Sequence, residues 1–153
     1  MSRATAVPVI RFGSTGADAP LVLSGPRHTH AVEVYDFYKP RGDTEYATVD
    51  GKLSQNAYLT AVDTCWAGLK SKLARAKGGD FSLDSFDYVC MHSPYNKLVQ
   101  KGFARLLVGD FTQQPDRKEF EDVPAQWRGV PLSESVDNRD VEKCFVGLSK
   151  ASG

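Results

Sequence analysis

Residues 89–101 read VCMHSPYNKLVQK. An apolar run stops on a histidine, His92. A Ser-Pro pair follows, and then a segment with lysines four apart. YVCM (88–91) has the composition of a buried strand. Proline disfavours helix in the residue before it, so Ser93-Pro94 predicts the turn between that strand and a helix beginning at Asn96. Ligands collect at the carboxyl ends of strands in α/β sheets, where the next helix aims its free N–H groups and positive dipole end. His92 falls at such a point. The helix end favours a bound anion and a neutral imidazole, able to polarise a carbonyl or take a proton.

Downstream, Leu98, Val99, Phe103, Leu106 and Leu107 give an apolar helix face through about Asp110. Lys97, Lys101 and Arg105 share another face. Like charges at this spacing cost about 0.2–0.5 kcal/mol per pair in an isolated helix. Either a phosphate-bearing ligand or acids from another element would offset that cost.

Upstream, residues 50–76 carry two adjoining stripes. One is Leu53, Ala57, Ala61 and Cys65. The other is Tyr58, Val62, Trp66, Leu69 and Leu73. Asp50 or Ser54 is placed to cap this helix, and Gly78-Gly79 to stop it. Ser82 or Ser85 is placed to begin a short turn. VPVIRF (7–12), PLVL (20–23) and EVYDFY (33–38) read as short strands, the last stopped by Lys39-Pro40. The RGD triplet at 41–43 reads as loop composition. Residues 112–135 are polar, carry three prolines and form a long loop with Phe120 and Trp127 as anchors. Asp137 or Asn138 opens a last helix with Val141, Phe145 and Leu148 on one face. This order predicts an α/β layer fold.

Composition narrows the function. Of 153 residues, 41% are hydrophobic and 25% charged, the range of a folded domain. Lys+Arg and Asp+Glu both total 19, so no general attraction to nucleic acid or anionic lipid is expected. No apolar run approaches the length of a membrane span. Cys65, Cys90 and Cys144 form neither a disulfide framework nor a CxxC pair. That predicts a reducing compartment and no structural zinc. Cys90, within YVCM, reads as a core thiol rather than a nucleophile partnered by His92. His28 and His30 lack a third ligand at a metal-site spacing. The first seventeen residues hold Arg3 and Arg11 and no acid, a weak transit-peptide pattern ranked below ordinary structure.

The residues HSPYNKLVQKGFARLLVGDF (92–111) closely resemble the signature of hydroxymethylglutaryl-CoA synthase, with Asn96 similar to plant or algal forms. YDFYKP (35–40), VDGKLSQNAYLTAVD (49–63) and NRDVEK (138–143) match the same family in the same order. The resemblance runs from about Ala19 to Lys143, with 112–135 divergent. It divides the chain into a divergent segment, 1–18, and a partial synthase domain, 19–153. It implies a partial thiolase-like layered α/β fold, spanning the end of the N-terminal half and the start of the C-terminal half. It also implies condensation of acetyl-CoA with acetoacetyl-CoA to HMG-CoA, in the mevalonate route to isoprenoids. By resemblance, His92 is catalytic and polarises the acetoacetyl carbonyl. Lys97 and Lys101 contact CoA, Ser54 lines the acyl-CoA site, and Asp36 and Phe37 line the active site. The CoA thioesters are substrates, and no resident cofactor or metal is implied. The full-length family form is a homodimer, and a cytoplasmic location is expected, a mitochondrial one being the alternative.

This sequence departs from the family pattern. VIRFGSTGADAPL stands where a glycine-rich stretch is expected. The family's acyl-accepting cysteine and catalytic glutamate belong to sequence preceding the matched stretch, so these residues alone are expected to be inactive. The alternative is a non-catalytic module that binds CoA or pairs with a synthase.

Overall fold

The computed structural model describes residues 3–5, 25–43, 45–93 and 95–151. The strands expected at 7–12 and 20–23 lie outside these residues, as does Pro94 of the expected turn.

Helix α1 spans Gly51–Lys77. The Asp50 carboxylate accepts from the Leu53 N–H at 2.9 Å and so caps the first turn. The helix stops at Gly78, whose φ of +74° glycine adopts without steric cost. At 27 residues α1 is about 40 Å long, the backbone of the molecule. Helix α2 spans Asn96–Gln113. A single turn, α3, covers Leu132–Ser135, and α4 covers Arg139–Ala151. The Asn138 side chain accepts from the N–H groups of Asp140 and Val141 and caps α4.

Contacts between α1 and α2 ascend together along both helices. Tyr58 lies over Gly102. Asp63 pairs with Arg105, and Lys70 with Asp110. The two helices therefore run parallel, with both N-termini at one end of the molecule. The connection from Gly78 to Tyr95 must return along the pair.

The core joins Trp66, Leu106, Leu107, Val108, Phe111, Phe120, Val141 and Phe145. Phe111, Phe120 and Phe145 meet at ring-centroid distances of 5.4–6.3 Å, within the range of favourable edge contacts. Phe120 anchors the stretch after α2, as its place in the loop predicts, and Trp127 packs on the rim of the core. That stretch holds two short 3-10 turns, Lys118–Phe120 and Ala125–Trp127.

The described strands form two antiparallel ribbons. β1 (Arg3–Thr5) pairs with β2 (Ala31–Glu33), and β3 (Phe37–Tyr38) with β4 (Thr48–Val49). β4 is only two residues long, between the polar RGDTEY connection and the cap of α1, too short to leave an alternating pattern in the sequence. Arg41 donates twice to Asp43 within that connection, so the RGD triplet closes on itself.

The largest difference from expectation is at 86–92. YVCM is not a buried strand: these residues have no ladder partner among the described residues. They are instead an extended strap across the helix pair. Val89 and Met91 are half-buried, whereas Tyr88, Cys90 and His92 are exposed. This is the period-2 alternation of extended backbone with one face packed on helices. Cys90 is accordingly a surface thiol, not a core one.

Candidate functional site

The strap begins at a fixed point. Ser82 and Ser85 form a reciprocal cap around the 3-10 turn Leu83–Ser85. The Leu83 N–H donates to Asp110 Oδ2 at 2.8 Å. Asp110 Oδ1 accepts from Trp66 Nε1 at 2.9 Å and from Lys70 Nζ at 2.7 Å. Both Lys70 and Asp110 are buried. Buried charges persist only when paired and hydrogen-bonded, and this carboxylate has three donors. Sequence reading missed the cluster. The available signal was Lys70, a charge four residues after Trp66 on an otherwise apolar stripe.

From there the strap climbs toward the helix N-termini. The Phe86 ring lies 5.8 Å from that of Trp66. Val89 packs on the core. Met91 Cε lies over Gly102 beside Tyr58, where a Cβ at residue 102 would stand 3.1 Å from it. His92 then emerges, exposed, four residues before α2. Cys90 shares its outward face. Alternate side chains on extended backbone stand about 6.5–7 Å apart, too far for a nucleophile–base hydrogen bond.

The cationic row on α2 divides into three states. Arg105 is buried and gives Asp63 a forked contact, Nε to Oδ1 at 2.9 Å and Nη2 to Oδ2 at 2.5 Å; Nη1 also donates to Ser135 Oγ at 2.7 Å. Burial pushes the Asp63 carboxyl above its ordinary range, and the Arg105 guanidinium opposes that shift. Lys101 makes a half-exposed ion pair with Glu142 of α4 at 3.1 Å. Lys97 is exposed, with no ion-pair partner among the described residues. Acids from α1 and α4 thus offset the repulsion along the row. Removing Arg105 from Asp63 would leave a buried carboxylate alone, which costs about 3–5 kcal/mol. Arg105 is therefore held within the fold, whereas Lys97 is exposed and Lys101 half-exposed.

Asp36, Phe37 and Ser54 gather at the same end of the molecule. The Asp36 carbonyl accepts from the Asp50 N–H at 2.7 Å, which ties β3 to the start of α1. Asp36 is buried, and its Oδ1 has no hydrogen-bond partner among the described residues. Phe37 is exposed on β3, and Ser54 is half-buried one turn into α1. The two helix starts differ: Asp50 caps α1, whereas Tyr95 provides no side-chain cap for α2. The Leu98 N–H donates to the Tyr95 carbonyl at 3.0 Å, whereas the N–H groups of Asn96 and Lys97 have no acceptor among the described residues, a setting that favours an anion.

His28 and His30 pack on the flank of α1, His28 against Gly68 and the His30 backbone beside Cys65. Gly68 admits the His28 ring, which a Cβ there would meet at 2.2 Å. No group of three or more His, Cys, Asp or Glu is arranged to hold a metal among the described residues. No helix among them is long and apolar enough to cross a membrane.

Residues 21–152 match the family model described as hydroxymethylglutaryl-coenzyme A synthase C terminal. The chain belongs to the hydroxymethylglutaryl-CoA synthase family. It is 44% identical over 144 residues to the hydroxymethylglutaryl-CoA synthase of Ganoderma lucidum, covering 89% of this chain and 31% of that one. It is 48% identical over 110 residues to hydroxymethylglutaryl-CoA synthase B of Dictyostelium discoideum, covering 71% of this chain and 24% of that one. The sequence therefore spans about a third or less of these synthases. Among solved structures, it resembles MvaS in complex with 3-hydroxy-3-methylglutaryl coenzyme A, with a TM-score of 0.50 and 20% identity over 92% of this chain and 38% of that one. The fold is thus a partial form of the thiolase-like layered fold of these synthases. The two short ribbons are all the sheet that the described residues supply.

Proposed function

We propose that this chain is the acetoacetyl- and CoA-recognition segment of a hydroxymethylglutaryl-CoA synthase, an acyltransferase that joins acetyl-CoA and acetoacetyl-CoA into HMG-CoA. The observation that carries the reading is the strap. It brings a synthase-signature histidine to the surface at the end where the α2 N-terminus and Lys97 face outward. In this reading His92 hydrogen-bonds the acetoacetyl carbonyl and supplies a proton as the new carbon–carbon bond forms. Lys97 attracts the CoA phosphates, and Lys101 exchanges Glu142 for them. Ser54, Asp36 and Phe37 border the acyl-CoA site from α1 and β3. The substrates are the CoA thioesters, with no resident cofactor. The covalent acetyl step requires a cysteine and a glutamate from the remaining part of the synthase fold. The assembled enzyme is a homodimer working in the cytosol on the mevalonate route.

The test is a full-length synthase carrying residues 21–152 in place of its own matching segment. His92→Ala lowers condensation by roughly 100-fold or more, the lower range for losing one acid–base group, and leaves acetyl-enzyme formation nearly unchanged. Equal loss of both steps refutes the role assigned to His92. The 153-residue chain alone gives no turnover; measurable turnover would contradict the need for the cysteine and glutamate.

A further inference from the structure

The strap has two faces with different work. Its inward face is anchored at three heights: Leu83 on Asp110, Phe86 and Val89 on the core, and Met91 over Gly102. Its outward face carries Tyr88, Cys90 and His92. No ladder partner holds the backbone here among the described residues, so side-chain anchoring must set its path. The final anchor sits one residue before His92. Gly102 leaves a notch on α2 that the Met91 methyl and the Tyr58 ring both border. A Cβ at residue 102 would come within 3.0 Å of Tyr58 Oη and 3.1 Å of Met91 Cε, so both neighbours would have to yield. The notch lies one helical turn beyond Leu98 and adjoins Lys101. The same stretch of α2 therefore seats the histidine's neighbour and carries the ligand-facing lysines.

We infer that Met91, seated in the Gly102–Tyr58 notch, is a positioning residue that fixes where His92 stands relative to the start of α2. Asp110 holds the far end of the same strap. The inference rests on the reading of His92 given above, but its geometry is tested without catalysis. A methionine suits the seat: it fills an irregular gap and packs its thioether beside an aromatic ring. Because Met91 is only half-buried, trimming it removes the seat without opening the central core. Leucine has similar volume and restores the packing.

Solution NMR of the 153-residue chain reads the effect. In Met91→Ala, the His92 ring resonances move and backbone order parameters at residues 90–93 fall from about 0.85 to below about 0.6, the rigid and flexible limits. Met91→Leu returns both toward the parent values. Gly102→Val, which crowds the notch from α2, also displaces the His92 signals. If Met91→Ala leaves the His92 ring signals and the order parameters unchanged while the protein stays folded, the inference fails. It also fails if Met91→Leu perturbs His92 as much as Met91→Ala, because the seat would then not act by packing. Neither outcome depends on condensation activity, so failure of the seat is distinct from failure of the functional reading.

Discussion

The two halves of α2 meet different surroundings. From Gly102 to Phe111 nearly every residue is buried, and the charges Arg105 and Asp110 are held by Asp63 and Lys70. From Asn96 to Lys101 the helix is exposed or half-exposed, and among the described residues its start has no side-chain cap, Lys97 has no ion-pair partner and Lys101 is loosely paired. One continuous helix is thus a structural post at its C-terminal half and a presenting surface at its N-terminal half. Charge of one sign means different things at its two ends. Burial and saturated hydrogen bonding mark a charge that holds the fold. Exposure beside the helix start leaves a charge in solvent, as at Lys97.

Substitutions sharpen this contrast. The largest effect is expected at Asp110. Asp110→Ala strands the buried Lys70 ammonium and should cost about 3–5 kcal/mol in urea unfolding. Adding Lys70→Met should recover a good part of that loss, because the uncompensated charge is gone. A cost below about 1 kcal/mol, the worth of an exposed pair, would place the Lys70–Asp110 contact in solvent and erase the distinction between the two halves. Next comes the cap of α4, which packs on the buried half. Asn138→Ala should cost about 1 kcal/mol by the same measurement.

The smallest effects are chemical rather than energetic. Cys90 sits on the outward face of the strap, whereas Cys65 and Cys144 are half-buried. Burial raises the pKa of both half-buried thiols, and a backbone hydrogen bond from His30 only partly opposes this at Cys65. A raised thiol pKa means less thiolate at a given pH, so iodoacetamide at pH 8 should label Cys90 first by peptide mass mapping. Labelling of Cys65 first would mean that the strap covers its own outer face.

Much of the helical framework was legible in the sequence. Four-residue apolar spacing, Asp50 and Gly78 placed α1 nearly to the residue, and the predicted start at Asn96 is where α2 begins. Phe120 was legible because an aromatic in a polar, proline-rich stretch must be buried somewhere. The strap was misread as a buried strand because periodicity reports a packed face and cannot report which element packs on it. A helix pair can bury Val89 and Met91 as a sheet can. The Lys70–Asp110 cluster was hidden for another reason: its partners lie forty residues apart, and pairing across that separation leaves no local pattern. The sequence points to His92 through the residues around it, since strand-like composition, a turn and a basic helix start form a chemical context without reference to burial.

The most direct test of the account is an NMR titration of the 153-residue chain with acetoacetyl-CoA. The account predicts that the shift changes cluster at His92, Ser93, Asn96, Lys97 and Lys101, that Lys97→Ala weakens them, and that Arg105 and Asp110 stay still. Changes centred on the buried half of α2, or on the His28 flank with none at His92 and Lys97, would contradict it.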